Sequence, residues 1–194
     1  PSVDAVFDGP YGVYHSIYDT HEWMRRFGDP GFQYHAAMAR LWGLMALRLA
    51  NADVLPFDYA TYGRDILVYL EEVEALARAR GMDVDLGGAR AAASAMAVLP
   101  AAAPLPGGAT DAATRNAALM QAERDLLSRD GIPRRPWFRH LVYAPLPTYE
   151  AETLPGVREA VLAGDAAAAR AQAAVLGAAL RRAAARLGAS AASQ

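Results

Sequence analysis

Two histidines, an aspartate and two tyrosines crowd into the stretch GVYHSIYDTHEW, Gly12–Trp23. Imidazole and carboxylate groups are zinc donors, and a tyrosine hydroxyl beside them can donate to an oxyanion. Zinc sites on one helix face space their histidines at i and i+4, whereas His15 and His21 are six apart. Spacing alone therefore favours a histidine packed in a turn over a self-contained metal site. Asp19 and Glu22 could form an acid–base pair, but their spacing is also that of a capping box with Asp19 as N-cap, which accounts for it fully. His21 then sits in the first helical turn as a solvated or locally bonded side chain. His35 and His140 stand singly near aromatics (Phe32 and Tyr34; Trp137 and Phe138), a pattern of core or interface packing. Arg134, Arg135 and Arg139 could clamp an anion, but pairing with the chain's many carboxylates is the favoured reading. Tyr143 and Tyr149 flank a proline-rich turn that either shapes a pocket or packs. No glycine-rich phosphate loop, nucleophile elbow or Cys/His zinc module is present, and without cysteine there is no thiolate or disulfide chemistry.

The elements that must hold these residues are mostly helical. Of the 194 residues, 54% are hydrophobic, many of them alanine, which brings helices close without adding bulk. The formal net charge of −2 argues against a nucleic-acid surface, which needs a clustered basic excess. No apolar run approaches the roughly 20 residues of a membrane helix. PSVDAVFDGP lacks the basic and apolar regions of a signal peptide. Its residues 3–7 are expected as a short strand before a turn at Gly9, Pro10 and Gly12. A helix starting at Asp19 is expected to break at FGDPG (27–31). Phe32, Ala36, Ala39, Trp42, Gly43, Ala46 and Leu49 then follow a helical period, with Gly43 and the alanines admitting a close neighbour.

LPFD (55–58) interrupts the pattern, and Asp58 is expected to cap a helix with the stripe Ile66, Leu70, Val73 and Leu76, stopping at Gly81. Further helices are expected over 86–99 and 111–129, separated by a proline and glycine loop at 100–110. The second should carry Leu119, Met120, Leu126 and Leu127 on one side and stop at Gly131. Residues 132–156 have no helical period and form a long structured excursion of the kind that often carries function. A short helix follows Pro155. The last helix, 165–187, offers Val175, Leu176, Leu180 and Leu187 as its large apolar edge, and the tail GASAASQ is expected to fray. The fold class is all-α, mainly an antiparallel helical bundle of four-helix type, preceded by a short strand and the histidine turn.

Four ordered segments carry a resemblance. YHSIYDTHEWMRRFGDPGFQYH (14–35) resembles the end of the protease domain of glutamate carboxypeptidase II and its relatives, zinc peptidases whose family includes the non-catalytic transferrin receptors. ANADVLPFDYATY (50–62), GIPRRPWFRHLVYAP (131–145) and TYEAETLPGV (148–157) resemble that family's helical dimerisation domain. The resemblance implies that residues 1–52 are the end of an α/β zinc-peptidase domain and residues 53–194 the transferrin receptor-like dimerisation domain. It implies a two-zinc site in the full-length protein, built from two histidines, a bridging aspartate and two further carboxylates, with a glutamate as general base. His15 matches the histidine ligand of that site. Tyr14 matches the tyrosine whose hydroxyl stabilises the tetrahedral intermediate, and Asp19 a supporting position. The general base and the other ligands match nothing within this chain, which alone is expected to be inactive and to bind no zinc.

In glutamate-specific members a Lys-Tyr pair in the segment 146–156 holds the substrate's terminal carboxylate; here it reads Thr148-Tyr149. Loss of the cation removes a charge-assisted bond, so aminopeptidase or dipeptidase specificity is as well supported as carboxypeptidase specificity. The expected partners are a second copy of the chain and, in the full-length protein, a peptide. The resemblance also implies a location outside the cytoplasm. Two rivals remain: a non-catalytic receptor-like binding module, and an independent helical interaction protein.

Overall fold

The computed structural model describes residues 5–9, 12–100, 111–148 and 150–188. The chain forms two compact units, Pro1–Pro56 and Phe57–Gln194.

In the first unit, residues 5–8 have no regular secondary structure. The strand expected over 3–7 is therefore not formed at its described residues, and Val3, Asp4 and Pro10 lie outside them. A strand needs a hydrogen-bonded neighbour, and no described segment of this unit supplies one. Helix α1 (His21–Trp23) begins one residue later than expected: Thr20, not Asp19, is the N-cap, its hydroxyl accepting the Trp23 N–H at 3.1 Å. The capping box is replaced by an ordinary hydroxyl cap, because Glu22 turns to Arg25, accepting from Nε at 3.0 Å and Nη2 at 2.8 Å. A π-helical turn, Met24–Gly28, continues α1 and ends where the break was expected. Helix α2 (Gln33–Ala50) follows and has no buried residue. A Cβ added at Gly43 would meet nothing within 4 Å, so the close neighbour expected there is not among the described residues.

The second unit is helical around one core. Asp58 caps α3 (Tyr59–Ala79), accepting the Thr61 N–H at 2.9 Å. Ile66, Leu70, Val73 and Ala77 are buried along it, and Leu76 is partly buried. Gly81, at φ +66°, ends it as expected. Helix α4 (Gly87–Ala97) packs Ala89, Ala92, Ala93 and Met96 into the same core. Residues 101–110 of the expected loop lie outside the described residues. Helix α5 (Ala112–Arg124) starts at the cap Asp111 but ends short of Arg129. Asp125 closes it, its carboxylate held by Arg186 at 2.5 and 3.1 Å. The chain then turns into backbone pairing, with Leu141 N–H donating to Leu126 O at 3.1 Å and Ser128 N–H to Arg139 O at 2.8 Å. Leu119 and Leu126 are buried, but Met120 and Leu127 are exposed, so the expected single stripe splits. Gly131 is not the helix stop. It holds φ +74° in a tight loop, where a Cβ would stand 2.2 Å from Pro136 O.

Within 132–156 a short antiparallel hairpin forms from β1 (Tyr143–Pro145) and β2 (Ala151–Thr153), pairing Tyr143 with Thr153, Ala144 with Glu152 and Pro145 with Ala151. Helix α6 (Pro155–Leu162) has its proline in the first turn, and Asp165 caps α7 (Ala166–Arg186). Leu176, Leu180 and Leu187 are buried as expected, whereas Val175 is exposed; alanines 169, 173, 179, 183 and 184 complete the inner face. No helix among the described residues is long and apolar enough to cross a membrane.

Candidate functional site

The histidine turn is built by short-range bonds. Ser16 N–H donates to Val13 O at 3.0 Å and Asp19 N–H to Ser16 O at 3.1 Å. Tyr18 N–H donates to Ser16 Oγ at 3.1 Å. Closing this turn puts His15 at φ 62°, in the left-handed region. A non-glycine residue there costs on the order of 1–3 kcal/mol and is concentrated at functional sites. The Tyr14 ring meets the His15 imidazole edge-on, with centroids 4.0 Å apart. Both side chains are exposed. His21 does not join them; it stacks on Phe32 at 5.5 Å. Among the described residues no three His, Cys, Asp or Glu side chains gather as a metal site.

His35 packs edge-on against Phe32, as expected, with ring centroids 5.3 Å apart, and it also faces a buried carboxylate. Asp29 is 4% exposed. Its Oδ2 accepts the His35 backbone N–H at 2.9 Å and lies 2.7 Å from His35 Nδ1. Burial pushes the Asp29 carboxyl up, but these hydrogen bonds outweigh it and hold it below the ordinary value. The pair borders a cavity of about 640 Å³ lined also by Phe7, Trp23, Phe27 and Tyr34, which neither Tyr14 nor His15 lines.

In the second unit, Thr148 is exposed in the loop joining β1 to β2. Tyr149 lies outside the described residues. The loop is closed at its base by Leu146 N–H donating to Glu150 O at 3.2 Å. Arg135, at 23% side-chain exposure, pairs with Glu152 and Glu159. Pairing with carboxylates, the favoured reading of the arginines, holds for this one. Tyr143 contributes to an aromatic group with Tyr62 and Tyr69, and its hydroxyl lies 3.3 Å from that of Tyr69. The sequence pointed to Tyr143 and Arg135 separately but carried no sign that Tyr62, Tyr69 and Glu152 surround them. Tyr62 and Tyr69 come from α3, at least 74 residues before Tyr143, and Glu152 comes from β2.

Residues 106–188 match the family described as transferrin receptor-like dimerisation domain. A probable glutamate carboxypeptidase of Arabidopsis thaliana is 38% identical over 83% of this chain and 24% of its own length. One of Zea mays is 37% identical over 83% of this chain and 24% of its length. An aminopeptidase of Mus musculus is 29% identical over 77% of this chain and 21% of its length. The chain thus spans about a quarter of the length of the curated relatives it matches.

Proposed function

Because the chain belongs to the glutamate carboxypeptidase and transferrin receptor family and carries its dimerisation domain, we propose that it forms the dimerising part of a zinc exopeptidase and lends residues to that enzyme's active site. The observation that carries this reading is the match of residues 106–188 to the dimerisation domain, joined to relatives that include both carboxypeptidases and an aminopeptidase. In this reading residues 1–52 complete a peptidase domain and 53–194 form the homodimer. The compact-unit boundary at Pro56, close to residue 52, supports that division.

His15 would be one zinc ligand. A lone imidazole is one donor of a two-zinc set, so the rest must come from residues outside this sequence. A bound zinc pair supplies Lewis acidity toward the scissile carbonyl. The chain's own contribution is orientation. The left-handed turn fixes the direction in which the His15 side chain leaves the backbone, and Tyr14 beside it would donate its hydroxyl to the developing oxyanion. Thr148 and Tyr149 would meet the substrate. Threonine brings no charge to a terminal carboxylate, which favours aminopeptidase or dipeptidase action over glutamate release.

The test is His15→Ala in the full-length protein, with bound zinc, peptide turnover and self-association measured together. Zinc content and turnover should fall while the dimer persists. Unchanged turnover would remove His15 from the site. A wild-type protein that dimerises but turns over no peptide would instead favour the receptor-like binding module.

A further inference from the structure

We infer that Arg135 is a positioning residue that holds the base of the loop between β1 and β2, and with it Thr148, in the conformation that meets the substrate. The inference rests on the role proposed above for that loop. Arg135 Nη1 donates to Pro145 O at 3.1 Å, on the last residue of β1. Its Nη2 donates to Glu152 Oε2 at 3.0 Å, on β2, and also to Glu159 on α6. One planar guanidinium therefore ties both strands at the base of the loop to the helix behind them, a task suited to arginine's fixed fork of donors. The other face of the group lies near Phe138, 5.8 Å from the ring centroid.

The loop carrying Arg135 is itself fixed. Ile132 N–H donates to Phe138 O and Arg135 N–H to Ile132 O, both at 2.9 Å. Gly131 allows a backbone approach to Pro136 that a side chain would block. With these bonds made, Arg135 points inward at protein groups and is not a receptor for a free anion.

Without the cation the arrangement fails at the base of the loop. Glu152 is 8% exposed. Burial and the neighbouring Glu159 push its carboxyl up, and Arg135 is a main opposing influence. Removing Arg135 takes its donor from the Glu152 and Glu159 carboxyls, so β2 and α6 lose one of their ties, and the base of the loop loses its own. A second arginine works farther from the tip. Arg158 Nε donates to Thr153 O at 3.1 Å, and its Nη2 donates to Glu72 on α3 at 2.8 Å. The hairpin as a whole should therefore survive loss of Arg135, while its tip should not.

The test uses Arg135→Gln and Arg135→Lys in the full-length protein. Hydrogen exchange is followed peptide by peptide, with kcat and KM measured on short peptides with free and blocked termini. Faster exchange confined to the tip, about residues 145–151, is expected, with KM raised about tenfold and kcat little changed, the signature of lost substrate binding alone. Lysine, a point charge without the fork, should not restore KM. Exchange that rises throughout the second unit, or a folded variant with local loosening and an unchanged KM, would overturn the inference. Should the glutamine variant not fold, the lysine variant decides by the same readouts. If the wild-type protein turns over no peptide, the proposed function fails instead, and unchanged exchange at the tip, about residues 145–151, would still refute the anchoring role.

Discussion

His140 shows how much one side chain can settle. Its Nδ1 accepts the N–H groups of Val142 and Tyr143 at 3.2 and 3.1 Å, so the ring proton sits on Nε2, which faces Glu123 Oε1 at 3.0 Å. That hydrogen bond, opposed by burial, holds the Glu123 carboxyl below its ordinary value of 4.5. The unfolded chain then binds a proton that the folded one does not. Glu123 therefore contributes stability that is complete above pH 4.5 and disappears as pH falls below it. Glu123→Gln should destabilise the second unit by about 1–3 kcal/mol at neutral pH. The gap between variant and wild type should close on acidification. Urea midpoints measured between about pH 6 and about pH 3 check this; a gap that stays constant would deny the pair its role. From the sequence His140 read only as a histidine among aromatics. Its tautomer and partner depend on α5, which the chain brings back to it by the turn after Asp125.

At the scale of elements, close approach is bought with small residues. A Cβ on Gly63 would stand 2.6 Å from Ala97 N and 2.8 Å from Ala93 O, so α3 meets the backbone of α4 directly there. At Gly177, on α7, the nearest α4 atom to such a Cβ is Ala89 N at 3.3 Å. Gly63→Ala should gain about 1 kcal/mol in helix propensity yet lose about 1–3 kcal/mol from overpacking. The net effect expected in chemical denaturation is destabilisation; a stabilised variant would mean that α4 can shift. The starts of these helices were legible because caps are local: Asp58, Asp111 and Asp165 each accept an N–H three residues on. The end of α5 was not legible. It is settled by Arg186, which reaches Asp125 from 61 residues away.

For the whole molecule, the two units bury their surfaces very differently. The second encloses a full apolar core. In the first, α2 leaves Leu44 and Leu47 about 60% exposed and buries none of its residues. Most helical stability in proteins comes from packing an apolar face, and α2 has no such packing among the described residues. In the full-length protein a dimer of the second unit is expected. Size-exclusion chromatography with light scattering should return twice the protomer mass, and a monomer at high micromolar concentration would count against it.

Several features were determined by the amino-acid sequence alone. They are the mainly helical class, the helix caps Asp58, Asp111 and Asp165, the stop at Gly81, the break within 27–31 and the family resemblance. Each rests on local spacing, caps and turn residues, or on ordered motifs. Tertiary structure alone decided that α5 stops at Arg124, and that β1 and β2 form a hairpin tied to α6 by Arg135. Those outcomes are choices between partners. Arg186 takes Asp125 from 61 residues away, and Arg135 takes Glu152 and Glu159 from two other elements. Only the folded chain brings the partners within reach of one another.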